Sequence, residues 1–92
     1  MRVIYKYPLT LETRQSIHMP MGAKLLSVQA QFNCPCLWAL VDPEAVTIIE
    51  TIYVFGTGHQ ISKDEEELTF LGTVQLDGGA LVFHVYSENV AW

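Results

Sequence analysis

Turn-forming residues divide this chain into short runs rich in β-branched and aromatic residues, and this division most constrains the fold. The runs read as strands because Val, Ile, Tyr, Phe and Thr favour extended backbone. The predicted strands cover residues 2–7, 13–19, 24–32, 36–41, 46–55, 68–76 and 81–88. No stretch shows the 3.6-residue apolar period of a helix. The chain is therefore predicted to be all-β, a small β-sandwich or barrel of about seven mostly antiparallel strands.

Turn signals between these runs predict the connections. Asn33-Cys34-Pro35 predicts a hairpin between the third and fourth strands, and Asp77-Gly78-Gly79 predicts one between the last two. The polar stretch 60–67 contains an acidic run, Asp64 to Glu67, which is expected to be a solvated loop or a single helical turn.

Length and composition predict one domain, residues 1–92, that associates with itself. Half of the chain is hydrophobic and only 16% is charged, against about 25% charged in ordinary domains. A small domain cannot bury that much apolar surface alone. We therefore expect a homo-oligomer.

The charge distribution argues against a nucleic-acid polymer as the partner. The chain has a net charge of −5 and five scattered cations, whereas several phosphates are neutralised only by clustered Lys and Arg. Four of the five cations lie within the first 24 residues, namely Arg2, Lys6, Arg14 and Lys24. A small phosphorylated ligand that needs one or two cations stays compatible with the sequence.

The sequence carries no signal for export or membrane insertion. Pro8 follows the first residues without an apolar signal-peptide core. The longest apolar run, residues 36–41, is far too short to span a bilayer. Cys34 and Cys36 flank Pro35, a spacing that rarely suits a disulfide. We expect free thiols, no membrane partner and a cytoplasmic location.

Catalytic and metal-binding patterns are weak. Cys34 and Cys36 could combine with His59 or His84 to bind zinc, but a single intervening residue is not the usual spacing in zinc hairpins. No nucleophile elbow, Walker loop or dinucleotide motif is present. The prediction is that the protein is not an enzyme and uses no metal or cofactor, with nucleotide hydrolysis as the least favoured alternative.

The loop after the fifth predicted strand is the main candidate binding element. Gly56-Thr57-Gly58-His59 places a hydroxyl and an imidazole on backbone that two glycines allow to turn its amides outward. Such a loop can hold a phosphate or a sugar edge. It is equally compatible with a plain connection between strands.

Other residues are predicted to complete a ligand site around this loop. Lys6 lies in a strand between two tyrosines, where it faces either solvent or an anion-bearing cavity. Lys6 and Lys24 are candidates to neutralise phosphate, and Trp38 or Tyr53 to stack on a base. Trp38 is also compatible with a core position, and Trp92 is expected to fray unless it docks on a neighbouring subunit.

Five ordered segments resemble a family of small uncharacterised proteins of tailed bacteriophages and prophages. The segments are YKYP from Tyr5, GAKLLSVQ from Gly22, LWALVD from Leu37, GTGH from Gly56 and GALVFHV from Gly79. The resemblance spans nearly the whole chain and implies a phage accessory protein that acts in the bacterial cytoplasm. It implies no reaction and transfers no catalytic residues.

Two functions follow as hypotheses. By analogy of role, phages encode small oligomeric β-rich proteins that sequester the nucleotide signals of bacterial defence systems. The first hypothesis is therefore a counter-defence protein that binds a small phosphorylated or nucleotide-like ligand without catalysis. The alternative is an inhibitor or assembly factor that meets a host protein through the acidic run and the edge strands.

Overall fold

The computed structural model describes residues 1–89, apart from the side chains of Lys63 and Glu66. Its seven strands are β1 (Val3–Pro8), β2 (Arg14–Pro20), β3 (Lys24–Gln31), β4 (Cys34–Val41), β5 (Thr47–Gly56), β6 (Thr69–Leu76) and β7 (Leu81–Ser87). Two short 3-10 turns, Lys63–Glu67 and Asp77–Gly79, complete the described elements. The all-β prediction is confirmed. Trp92 lies outside the described residues.

The strands form two antiparallel sheets. The three-stranded sheet has the order β1-β4-β3, and the four-stranded sheet has the order β2-β5-β7-β6. Both predicted hairpins, β3–β4 and β6–β7, pair as neighbours. No helix in the described part of the chain is long and apolar enough to cross a membrane.

The core lies between the two sheets because each strand alternates its side chains. Leu37, Ala39 and Val41 on β4 face Ile52 and Val54 on β5, and all five are at most 2% exposed. We call the surfaces of the sheets that meet at this core the inner faces, and the opposite surfaces the outer faces. Residues at alternate positions, such as Trp38 on β4 and Tyr53 on β5, consequently lie on the two outer faces.

The two sheets approach each other most closely where β3 lies beside β6. A methyl group at Gly72 on β6 would lie 3.2 Å from the Cβ of Val28 on β3. A side chain at position 72 would therefore require Val28 to shift by a few tenths of an ångström, so glycine suits the close approach of the two strands at this point.

One predicted turn lies earlier in the chain than expected, so that β4 begins at Cys34 and not at Cys36. The β3–β4 turn is centred on Phe32 and Asn33, whose φ angles are 51° and 59°, and not on Asn33-Cys34-Pro35. Pro35 instead lies inside β4, where its carbonyl accepts a 2.8 Å bond from the Leu9 amide. An N–H at this position would point toward β1, which has already ended at Pro8. Proline therefore removes no hydrogen bond between β4 and β3.

Candidate functional site

The Gly56–His59 loop is a tight β-turn whose amides are largely used within the chain. The His59 amide donates to the Gly56 carbonyl at 2.9 Å, and the Thr57 amide donates to the Val82 carbonyl at 3.1 Å. Gly58 occupies the third turn position with φ +89°, which disfavours any residue with a Cβ. Two amides predicted to hold phosphate are thus already bonded, and the loop has the geometry of a strand connection.

The hydroxyl of this loop is held by a histidine on the neighbouring strand. Thr57 Oγ1 lies 2.8 Å from Nε2 of His84, and Thr73 Oγ1 lies 3.0 Å from Nδ1 of the same ring. Thr57 Oγ1 also lies 3.3 Å from the Val82 carbonyl, to which it donates. A consistent assignment has Nε2–H donating to Thr57 and Nδ1 accepting from Thr73. His84 therefore links the loop to β6 through both ring nitrogens.

Among the described residues, no lysine or arginine lines the cleft beside the loop. His59 is exposed and packs edge-on against Phe55, with ring centroids 5.4 Å apart. A shallow cleft of about 370 Å³ lies beside the loop, and its lining contains no charged side chain. It is formed by Gly56, Thr57, Ala80, Leu81, Val82 and Phe83. The cleft is suited to an apolar group more than to a phosphate.

Tyr53 is buried and engaged by other side chains. It is 9% exposed and stacks on Phe55 at 6.0 Å with an interplanar angle of 18°. Its hydroxyl donates to Glu88 Oε1 at 2.8 Å and accepts from Arg14 Nε at 3.2 Å. Little of the ring is therefore exposed for a base to stack on.

Trp38, Lys6 and Lys24 meet on the outer face of the three-stranded sheet. Trp38 lies directly opposite Lys6 of β1, and Lys24 lies opposite Leu40, the next residue of β4 on this face. The indole is half-buried, and both lysines are exposed. On its other side Trp38 lies opposite Ser27 of β3, which follows Leu26, the extra residue of a β-bulge.

The two lysines differ in their contacts. Lys6 Nζ donates to Gln31 Oε1 at 2.8 Å, a bond that spans β4. The side chain of Lys24 makes no hydrogen bond or ion pair with any residue that the structure describes. A ligand could engage Lys24 without breaking an existing contact.

Charge is separated between the two sheets. The strands β1, β3 and β4 contain no aspartate or glutamate. Next to the four-stranded sheet, by contrast, a cleft of about 360 Å³ is bordered by Tyr53 and by four carboxylates. These are Asp64, Glu65, Glu67 and Glu88. A chain with a net charge of −5 thus has one outer face without carboxylates.

The predicted ligand-binding residues consequently fall into two groups that do not meet. Lys6, Lys24 and Trp38 lie on the outer face of the three-stranded sheet, while Tyr53 and Gly56–His59 belong to the four-stranded sheet. The hydrophobic core separates the groups, so one small ligand cannot contact both within a single chain.

Glu50 was not among the predicted site residues. It is 8% exposed and lines a cleft at the end of the core near β2 and β5. A carboxylate in the middle of an apolar strand is the sequence signal that marks it.

The cysteines are both free. Cys36 is 2% exposed, and burial raises the pKa of its thiol, with the neighbouring Cys34 as the next cause. In the described part of the chain, no three His, Cys, Asp or Glu side chains are placed to hold a metal ion.

Comparison with known proteins identifies the family of the chain. A family model described as a domain of unknown function, DUF7352, matches residues 1–91. No curated protein and no solved structure matches the chain. Because the family model covers nearly every residue, the chain belongs to the DUF7352 family.

Proposed function

We propose that this protein is a non-catalytic binding module that holds a small phosphorylated or nucleotide-like ligand on the outer face of its three-stranded sheet. The observation that carries the proposal is the juxtaposition of a half-buried indole, Trp38, with two exposed lysines, Lys6 and Lys24. No carboxylate in the three strands opposes an anion there.

The dimensions of this face suit a nucleotide. Lys6 and Lys24 lie on the two strands that flank β4, opposite Trp38 and Leu40 respectively. Two strand spacings across the sheet and two residues along it place their Cα atoms about 12 Å apart on an ideal sheet. Their flexible stems allow both ammonium groups to reach one ligand. Stacking of a base on an aromatic side chain contributes about 1–3 kcal/mol, and each ammonium adds charge-assisted hydrogen bonds to phosphate.

Polar side chains on the same face supply partners for a sugar or a base edge. Gln29 Nε2 donates to Ser27 Oγ at 2.8 Å, which leaves the amide oxygen of Gln29 and the hydroxyl proton of Ser27 without a partner in the described residues. Such groups can bond ribose hydroxyls. Sequestration of a defence signal in a phage-infected cell is the role suggested by analogy with other small phage proteins, and in this proposal the ligand is released unaltered.

Binding is tested by native mass spectrometry and tryptophan fluorescence with a panel of linear and cyclic nucleotides. Trp92→Phe leaves Trp38 as the only indole, so stacking should quench its emission. Lys6→Gln with Lys24→Gln should weaken binding at least about 10-fold, because two charge-assisted contacts are lost. Trp38→Leu should weaken it by about 5- to 150-fold.

Two matched controls locate the site. Lys63→Gln removes the same charge from the 3-10 turn and should leave affinity unchanged. The double variant Thr57→Ala with His59→Ala tests the glycine loop, and its affinity for the nucleotide should also be unchanged. If the loop variant loses the ligand while the lysine variant retains it, the site is at the loop and the proposed face is wrong.

A second function, capture of a basic protein, has its own supporting observation. Asp64, Glu65, Glu67 and Glu88 gather around one cleft. Arg14 attracts Glu88 and is linked to it through the Tyr53 hydroxyl, but no lysine or arginine forms a direct ion pair with the four carboxylates among the described residues. Reversal of Asp64, Glu65 and Glu67 to lysine would abolish such capture in a pulldown. It should leave nucleotide binding on the other sheet intact.

A further inference from the structure

A cleft at the end of the core encloses a carboxylate in largely apolar surroundings. The cleft has a volume of about 330 Å³ and lies where β2 turns toward β3 and where β5 begins. Met19, Met21, Ala23 and Ile48 supply its apolar walls, and Glu50 its acid. Glu50 is on the inner face of β5, so this site is separate from the outer face proposed above for nucleotides.

The Glu50 carboxylate is poorly compensated within the chain. It is 8% exposed, and no lysine, arginine or histidine forms an ion pair with it among the residues that the structure describes. Burial raises the pKa of Glu50, while a hydrogen bond from Asn89 acts in the opposite direction. Asn89 also lines the cleft. A buried charge without a cationic partner destabilises a fold, and an apolar residue would fill the position better.

Charge complementarity therefore defines what would occupy this cleft. We propose that it binds a primary ammonium group carried on a short apolar chain, with the ammonium at Glu50 and the chain against Met19 and Ile48. The ligand compensates the carboxylate and covers the apolar walls at the same time. Methionine walls accommodate alkyl chains of varied shape because the thioether is flexible and polarizable. Either a free alkylamine or a lysine side chain of a partner protein has this chemistry.

The test is an NMR titration of the ¹⁵N-labelled full chain with n-butylammonium chloride at constant ionic strength. n-Butanol is the matched neutral ligand, since it has the same number of heavy atoms and no charge. We expect saturable shifts of the amides of Gly22, Ala23 and Asn89, with a Kd on the order of 1 to 10 mM for a ligand of this size. Butanol should bind at least about 10-fold more weakly.

Glu50→Gln removes the charge and keeps the shape of the side chain. It should bring the affinity for butylammonium down to that for butanol. Nα-acetyl-lysine N-methylamide separates the two sources: tighter binding than butylammonium indicates a protein lysine, and weaker binding a free amine.

Equal affinity for butylammonium and butanol would overturn the proposal, as would the absence of saturable shifts. The comparison of the two ligands uses the unaltered protein, so it decides even if the Glu50→Gln variant does not fold. Nucleotide binding is followed separately through Trp38, so the failure of either proposal is recognised independently.

Discussion

Asn33 and Asp77 bond each other twice and thereby join the tips of hairpins from different sheets. The Asn33 amide Nδ2 donates to Asp77 Oδ1 at 2.6 Å, and the Asp77 backbone amide donates to Asn33 Oδ1 at 2.7 Å. Asn33 lies in the β3–β4 turn and Asp77 in the β6–β7 turn. Both have positive φ, 59° and 50°, which these residues tolerate better than most. The pair closes one end of the sandwich through side chains.

Removal of this pair should destabilise the fold cooperatively. Asn33→Gly and Asp77→Gly each keep the turn conformation accessible. Asn33→Gly loses both bonds, whereas Asp77→Gly loses only the bond from the Asn33 amide, because the backbone N–H at position 77 can still donate to Asn33 Oδ1. Each should lower the free energy of unfolding by about 1–2 kcal/mol. The double variant should destabilise the protein by clearly less than the sum of the two single variants, since Asn33→Gly alone already removes both bonds. Urea unfolding of the four proteins measures this coupling, and strict additivity would contradict it.

Phe32 should be replaceable with a gain in stability. Its φ is 51° and it is 92% exposed, so it adopts a conformation unfavourable for a bulky residue and packs against little. Asparagine accepts positive φ more readily and favours tight hairpin turns. Phe32→Asn should raise the free energy of unfolding by about 0.5–1 kcal/mol. A loss of stability on thermal unfolding would show that the ring makes contacts that offset the strain.

The strands were predictable because their information is local. Val46 to Phe55 differs from the observed β5 by one residue at each end, and the polar stretch that follows does form a short helical turn. The Glu65 carboxylate accepts from the Ser62 amide and hydroxyl at 3.1 and 3.0 Å. The bonds that stabilise this turn join two residues that are close in sequence, so the turn can be predicted from the sequence.

The grouping of site residues was not predictable because it depends on pairing between distant strands. Nothing near Lys6 indicates that β1 pairs with β4 while β2, the next strand along the chain, joins the other sheet. The hydrogen bond between Thr57 and His84 was unpredictable for the same reason, since the two residues are 27 positions apart in the chain. The β3–β4 turn was misplaced because Pro35 is a strong turn signal in sequence, yet its position beyond the end of β1 makes it acceptable in a strand.

Two tyrosine hydroxyls should respond oppositely to removal. The Tyr7 hydroxyl is buried and has no hydrogen-bond partner in the described part of the chain, and burial raises its pKa. Tyr7→Phe should therefore stabilise the protein by about 1 kcal/mol, because the hydroxyl no longer has to be desolvated. Tyr53→Phe loses bonds to Arg14 and Glu88 and should destabilise it by about 1–2 kcal/mol. Thermal unfolding of both variants tests this, and shifts of the same sign would contradict it.

The stability of the protein should depend on pH through Glu50. Folding raises the pKa of this carboxyl above its value of about 4.3 in an unfolded chain. Between those two pKa values the folded state holds the proton more tightly. The free energy of unfolding therefore falls as pH rises through that window, and it stays low above it. Each full unit of elevation would correspond to about 1.4 kcal/mol.

Glu50→Gln should remove this dependence. The variant is expected to be more stable than the unaltered protein at pH 8, and the advantage should shrink as the pH falls toward 4. Because the chain has ten Asp and Glu residues in all, the informative quantity is the difference between the stability curves of the variant and of the unaltered protein. Glu12→Gln, a change at an exposed carboxylate, is the matched control and should give a nearly flat difference. A flat difference for Glu50→Gln would instead mean that the buried carboxyl is compensated in the folded protein, which would also remove the physical reason for an ammonium ligand in its cleft.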